Sequence, residues 1–263
     1  MDDCLIIELP EFKPQYKRWK KYGTTNPIEK KNLKNVLIES TRGYCMYCYS
    51  RISIDGKIYG HLEHAIEKNN SKRLVECIPN VGISCAICND SFKKIGERKR
   101  KLDEDTVELF HKNAKCTEVN RKQCTIPCRA LRRLQDEYHK KETAEMILQP
   151  MGVQRNEKKE NLRIQYDILK SEFQPAISNH NYSESEIAFI QEHIMHFRLN
   201  DSRYKPCKVY DFIRNVIDSG GALPQYEYPN MVVELFAERL KQRSREDRLK
   251  LCEAIFISGF LTA

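Results

Sequence analysis

Two pairs of cysteines have the spacing of ligands to a single metal ion. Cys45 and Cys48 form one C-x-x-C pair, Cys85 and Cys88 form the other, and 36 residues lie between them. The two thiolates of such a pair can share a tetrahedral Zn²⁺. A redox pair is the alternative, but no βαβ pattern surrounds either motif. A site with four cysteine ligands is closed, so this zinc is predicted to hold the fold and to leave chemistry to other residues.

Several polar residues between and just after these pairs could carry that chemistry. A histidine has an ordinary pKa of about 6.5 and can take a proton from water, and His61 and His64 both lie between the cysteine pairs. The carboxylate of Glu63 is the hard oxygen ligand that Mg²⁺ prefers. On a strand, His61 and Glu63 would point to one face and His64 to the other, unless a β-bulge or a strand end intervenes.

The stretch YCMYC…HLEHAIEK…PNVGISCAICNDSFKK resembles the HNH endonucleases, a family with a ββα-metal core. In particular it looks like the HNH subunits of Septu-type and retron-associated anti-phage systems. The resemblance covers roughly residues 43–100, a fifth to a quarter of the chain. It implies hydrolysis of phosphodiester bonds with structural Zn²⁺ and catalytic Mg²⁺ or Mn²⁺.

The resemblance also implies a role for each signature residue. His64 would be the general base, and Glu63 and Asn89 would bind the catalytic cation, although Asp is more usual than Glu in the family. Asn80 would fix the loop that carries His64. Ordinary structural roles stay open: Asn89 could cap a helix, Asn80 could be a turn residue after Pro79, and His61 could be a bystander.

Basic residues follow the second cysteine pair on one side of a predicted helix after Cys85. Four of them are candidate phosphate contacts: Lys93, Lys94, Arg98 and Lys99. The net charge of +8 also favours a polyanionic partner. A run of charges is usually only a solvated face, and nothing here encodes base readout. We expect nucleic acid as the partner, DNA more than RNA.

Composition places the chain among soluble globular proteins, with 40% apolar and 31% charged residues. No apolar run approaches the roughly 18 residues of a membrane helix and no signal peptide is seen, so we expect a cytoplasmic protein without a membrane partner. Of the eleven cysteines, Cys116, Cys124 and Cys128, with His111 nearby, could ligate a second zinc. Their irregular spacing favours free thiols.

The predicted fold class is α+β, with a small zinc-stapled ββα core followed by a mainly α-helical domain. Residues 1–42 are predicted to form an arm and a leading helix, and residues 43–128 the nuclease module. Asp55-Gly56 indicates a hairpin in that module. Residues 129–263 are predicted to be wholly helical, for partner docking or substrate closure. The helical candidates are Arg129 to Leu148, Asn161 to Phe173, Glu184 to Arg198, Lys208 to Ser219, Met231 to Arg243 and Arg245 to Phe260.

The sequence therefore favours an HNH endonuclease that acts as the effector subunit of an anti-phage system. Its protein partner would be an ATPase of the same operon that restrains or licenses it. The alternative is a catalytically silent zinc module that binds nucleic acid or protein. A nuclease that acts on RNA also stays open, because such a core grips phosphate rather than sugar.

Overall fold

A computed structural model describes residues 5–114, 124–155, 160–201 and 208–262, the side chains to residue 259. The chain divides into two compact units. The first, here called the central unit, contains Glu11–Tyr47 and Ile52–Leu162. The second, the terminal unit, contains Met1–Pro10, Cys48–Arg51 and Arg163–Ala263.

The central unit begins with the predicted leading helix, α1 (Pro27–Ser40). Asn26 caps it by accepting hydrogen bonds from the amides of Ile28 and Glu29, and Pro27 suits the first helical turn. The predicted hairpin follows as β2 (Ser53–Ile54) and β3 (Lys57–Ile58). Asp55 and Gly56 have φ of 48° and 72°, the left-handed pair that a two-residue hairpin turn requires.

A second antiparallel pair lies at the centre of this unit. β4 (His61–His64) pairs with β5 (Val81–Ser84), so that Glu63 lies opposite Gly82 and His64 opposite Val81. Short 3₁₀ turns at Lys68–Asn70, Lys72–Leu74 and Ile78–Asn80 connect the two strands. β5 ends at Ser84, so the second cysteine pair begins with the next residue, Cys85.

The segment after Cys85 is not the single amphipathic helix that the sequence predicts. A π-helical segment covers Ile87–Phe92, Gly96 takes a left-handed φ of 75°, and a 3₁₀ turn covers Glu97–Arg100. The wider π turn and the glycine shift the phase of the side chains. Two α-helices complete the unit, α2 (Glu104–Asn113) and α3 (Arg129–His139), which pack against each other.

The terminal unit combines a three-stranded antiparallel sheet with helices. Its strands are β1 (Ile6–Glu8), β6 (Ile164–Asp167) and β7 (Glu172–Pro175), in the order β1-β6-β7. Its helices are α4 (Glu184–His196), α5 (Val209–Asp218), α6 (Met231–Lys241) and α7 (Arg245–Thr262). A capping box begins α4, with Ser183 and Glu186 bonded to each other's backbone.

The prediction of a wholly helical C-terminal region is wrong at Asn161 to Phe173, which forms the β6–β7 hairpin. Leu162, Tyr166, Leu169 and Phe173 have helical spacing, but Ile164, Tyr166 and Ile168 also alternate as strand residues do. Pairing with β1 decides between the two patterns, and β1 lies more than 150 residues away along the chain.

The compact units also differ from the predicted domain bounds. α3 packs on α2 and so belongs with the central unit, although the sequence places it after the boundary at residue 128. The first ten residues join the terminal unit because β1 pairs with β6. In the described ranges no helix combines the length and apolar character needed to cross a bilayer.

Candidate functional site

The four predicted zinc ligands come together. The Sγ atoms of Cys45, Cys48, Cys85 and Cys88 all lie within 4.8 Å of one another. A zinc–sulfur bond of about 2.3 Å places tetrahedral thiolates about 3.8 Å apart, so four sulfurs this close suit one zinc ion. Cys85 is half-buried and the other three are buried. The cluster could therefore hold a structural zinc.

The first cysteine pair is bonded to the strand that leads to the second. The Met46 amide donates to the Ile83 carbonyl at 3.1 Å, and the Ile83 amide approaches the Met46 sulfur at 3.4 Å. Gly82 has no room for a side chain, since a Cβ there would lie 2.8 Å from the carbonyl oxygen of Gln149. The metal cluster and the β4–β5 pair thus form one packed assembly.

His64 ends β4 with its ring half-buried and its orientation fixed. Its Nε2 lies 3.0 Å from the Val75 carbonyl oxygen. Burial lowers the pKa of His64 below its usual value of 6.5, and the Val75 carbonyl offsets this only in part. The ring is therefore neutral at neutral pH, and because a carbonyl can only accept, its proton is on Nε2. Nδ1 carries the lone pair and is the atom that could accept a proton.

Asn80 fixes the loop that follows His64. Its side chain is completely buried, accepts a hydrogen bond from the Ile66 amide at 2.8 Å and donates one to the Ile66 carbonyl at 2.9 Å. The Ala65 amide donates to the Asn80 carbonyl at 2.8 Å. Both residues after His64 are therefore held by hydrogen bonds to Asn80.

Glu63 is enclosed rather than open to a ligand. Its side chain is 3% exposed, and Lys93 Nζ lies 2.8 Å from its Oε1 while the Tyr47 hydroxyl donates to its Oε2 at 2.7 Å. The same ammonium donates to the carbonyls of His64 at 3.2 Å and Ala65 at 2.5 Å. Lys93 thus occupies a cation position among three oxygens, and Mg²⁺ or Mn²⁺ on Glu63 does not fit this arrangement.

The role predicted for Lys93 in nucleic-acid binding needs correction. Its side chain is buried because it neutralises Glu63, so it presents no charge to solvent. Arg100, which follows the basic candidates in the sequence, is completely buried and pairs with Glu67 at 2.9 Å. The Tyr138 hydroxyl also donates to Glu67, at 2.9 Å.

The other basic candidates lie on the surface. Lys94, Arg98 and Lys99 are exposed, and Lys99 forms an ion pair with Glu142. They remain available to phosphates, although Lys99 would first have to leave its partner. The apolar side chain of Ile95 is 52% exposed, whereas the neighbouring Lys93 is buried, so this segment does not have the two faces of a regular amphipathic helix.

Asn89 and His61 lie at the exposed edge of the same assembly. The Asn89 amide donates to Asp90 at 2.9 Å, and His61 Nδ1 lies 3.4 Å from the other oxygen of Asp90. The sequence analysis missed this pairing with Asp90, although Asp90 directly follows a signature residue. Asn89 makes no side-chain cap.

Among the residues that the structure describes, the four cysteines are the only group of three or more His, Cys, Asp or Glu side chains placed to hold a metal. Glu63 is bonded to Lys93 and Tyr47, and the Asn89 side chain is bonded to Asp90. Cys116 lies outside the described residues. His111 is engaged with Ser71 at 2.6 Å, and neither Cys124 nor Cys128 belongs to a metal-binding group.

Comparisons with known protein families, with curated proteins and with solved structures found no match to this chain.

Proposed function

We propose that this chain is an endonuclease of the HNH type that hydrolyses phosphodiester bonds of DNA. The observation that carries the proposal is His64, a neutral imidazole whose Nε2 proton is committed to Val75. A general base needs a lone pair near neutral pH and a fixed ring, and both conditions hold at Nδ1. The adjoining zinc cluster and the Asn80 contacts give the rigid support that a positioned base requires.

The proposed chemistry begins with His64. Nδ1 takes a proton from a water molecule as that water attacks the phosphorus of the scissile bond. The bond between phosphorus and the leaving sugar oxygen breaks in the same displacement, and that oxygen takes a proton from solvent. Hydrogen bonding to Val75 stabilises the imidazolium that results. The exposed Lys94 and Arg98 would hold flanking phosphates through charge-assisted contacts. No step is assigned to a divalent ion, because Glu63 has no unengaged oxygen to bind one.

The same enclosure of Glu63 favours a second function, a zinc module that binds nucleic acid without cutting it. A buried Glu63–Lys93 pair leaves the core without the carboxylate that the resemblance assigns to the catalytic metal. For a cutting enzyme, Lys93 would either serve in place of that cation or leave Glu63 when a metal binds.

A cleavage assay separates the two functions. Purified protein is incubated with supercoiled plasmid and Mg²⁺ or Mn²⁺, both alone and with the products of neighbouring genes. Those products are included because the effector of a defence system would need its ATPase partner for activation. We expect nicked and linear products from the wild type and at least 100-fold less from His64→Ala, the range of a lost general base. His61→Ala is the control, since it removes an exposed ring from the same strand.

Two outcomes would contradict the proposal. Plasmid that stays intact under every condition, with the partner proteins present, leaves the non-catalytic zinc module as the better account. Equal losses in His61→Ala and His64→Ala would show that the base is not His64. Zinc content and circular dichroism of each variant establish that the fold is retained.

A further inference from the structure

An exposed tryptophan lies in a basic turn that the proposed chemistry does not use. Trp19 is the only tryptophan of the chain, and its side chain is 80% exposed. It is surrounded in sequence by Lys17, Arg18, Lys20 and Lys21, all exposed. No acidic residue occurs between Phe12 and Asn26. We call residues 17–21 the Trp19 turn.

The Trp19 turn is anchored to the central unit at both ends. The Lys20 amide donates to the Lys17 carbonyl at 3.1 Å, which closes the turn, and the Lys17 amide donates to the Tyr22 hydroxyl at 2.9 Å. Tyr22 is buried and packs edge-on against Tyr16, with ring centroids 5.0 Å apart. The Asn32 side chain on α1 donates to the Lys21 carbonyl at 3.0 Å. The ring of Trp19 is thus displayed from a fixed support.

The chain after the turn leads to the candidate base. The Thr24 hydroxyl donates to the Val75 carbonyl at 2.8 Å, and this is the same oxygen that receives the proton of His64 Nε2. Thr24 is five positions after Trp19 in the sequence, so their Cα atoms lie at most about 18 Å apart. The Trp19 turn therefore lies within about 18 Å, measured between Cα atoms, of the residue that shares the Val75 carbonyl with His64.

We infer that the Trp19 turn binds an unpaired nucleic-acid strand, with a base stacked on the Trp19 ring and its phosphates on the flanking cations. Every base has a π face, and stacking on an aromatic ring needs no sequence readout. In a duplex those faces are covered by neighbouring base pairs, so an unpaired strand fits better. The inference rests on the proposed function in that such a strand would lead towards His64.

Charge and shape favour this occupant over a membrane. An interfacial membrane site uses a broad apolar face, commonly that of an amphipathic helix. The Trp19 turn offers one large apolar ring among four cations. A single ring suits one stacked base, and four cations suit the consecutive phosphates beside it.

The single tryptophan makes the test direct, because its emission reports on this turn alone. The full-length protein is titrated with a twelve-nucleotide thymidine strand without added divalent metal, and gels verify that the strand stays intact. We expect the strand to quench Trp19 emission. An abasic strand with the same phosphates should quench far less. The same strand paired into a duplex should also quench far less.

Affinity is then measured from the anisotropy of a labelled strand. We expect Trp19→Ala to weaken binding about 5- to 150-fold, the range for loss of one stacked base, and Trp19→Phe to retain part of the affinity. Ile28→Ala is the matched control, since it removes an apolar side chain that is 74% exposed. The double variant Lys17→Ala, Lys20→Ala should reduce the slope of log affinity against log salt by about 1.4.

Three results would overturn the inference. The first is that Trp19→Ala and the wild type bind the strand with equal affinity. The second is equal quenching by the base-containing and abasic strands. The third is a blue shift of Trp19 emission with phosphatidylserine vesicles, together with no change in emission on addition of the strand. Binding is measured apart from cutting, so its failure can be told from failure of the nuclease proposal. Loss of cutting in His64→Ala with unchanged quenching would support both.

Discussion

At the scale of single residues, each polar side chain of β4 is limited by its partner. Val75 accepts the proton of His64, so only Nδ1 can act as a base. Lys93 and Tyr47 bond to the two oxygens of Glu63. The carboxylate thereby holds Lys93 against the carbonyls of His64 and Ala65. Adjacent residues of one strand point to opposite faces, which allows a buried ion pair and a half-buried base to be neighbours in sequence.

The depressed pKa of His64 predicts the pH dependence of cutting. Since burial favours the neutral ring, His64 should stay a competent base as the pH falls to 6.5 and lose that form only at the lower pKa of the folded protein. The acid limb of kcat/KM should therefore have its midpoint below 6.5. Rates of plasmid nicking from pH 4.5 to 8 measure it. A midpoint at or above 6.5 would assign the base role to another group.

Asn80 and Asn89 should differ sharply although both are signature residues. Asn80→Ala leaves the amide and carbonyl of Ile66 buried without their partners, at a cost of about 2 to 4 kcal/mol in the free energy of unfolding. Asn89→Ala removes a half-buried side chain that donates to the exposed Asp90, and it should change that free energy by at most about 1 kcal/mol. Urea denaturation compares them, and similar losses would contradict the structural role of Asn80.

At the scale of elements, the segment after Cys85 connects the metal cluster to the loop that carries His64. Lys93 reaches the His64 and Ala65 carbonyls, and Arg100 reaches Glu67, so two buried ion pairs join this segment to one short stretch of chain. Removing one member of such a pair leaves a buried charge without compensation.

The Lys93 pair can be tested against an exposed pair of the same residue types. We expect Lys93→Met to lower the free energy of unfolding by about 3 to 5 kcal/mol, and the double variant Glu63→Gln, Lys93→Met to recover most of it. Lys99→Met, whose partner Glu142 is exposed, should cost at most about 1 kcal/mol. Thermal and urea unfolding measure all three. Equal effects at Lys93 and Lys99 would contradict the burial argument.

The elements that could be predicted from sequence are those specified by adjacent residues. Asp55-Gly56 specifies the β2–β3 turn, and Ser183 with Glu186 specifies the start of α4, because the interacting groups lie within four residues of each other. The β6–β7 hairpin was missed because its pattern fits two structures and its partner β1 is remote. Short apolar runs are ambiguous for this reason.

The candidate site shows the same division. The cysteine spacing predicts the cluster because each C-x-x-C pair is local, and the structure brings the two pairs together. The enclosure of Glu63 could not be predicted, because Lys93 lies 30 residues away and reads as one member of a surface charge run. The burial of Lys93 becomes evident only once the structure shows Glu63 beside it.

At the scale of the whole molecule, zinc is expected to hold the packing of the two cysteine pairs on β4 and β5. Binding of zinc by four thiolates is coupled to folding, so that removing the ion removes the free energy of the site. The knuckle residues Met46 and Tyr47 contact Ile83 and Glu63, and loss of the ion should therefore spread into β4 and β5. α4 to α6 lie in the other compact unit and have their own apolar core.

Zinc removal should accordingly unfold one part of the protein before the other. Metal analysis should give about one zinc per chain in the wild type and in Cys124→Ser, and almost none in Cys45→Ser or after treatment with a strong chelator. Hydrogen exchange should then lose protection at residues 61–66 and 81–84 while residues 184–196 and 231–241 stay protected. Two zinc ions per chain, with one lost in Cys124→Ser, would instead reveal a second site at that cysteine. Full protection of β4 and β5 in the metal-free protein would contradict a structural role for the ion, because packing alone would then suffice to hold His64 in place.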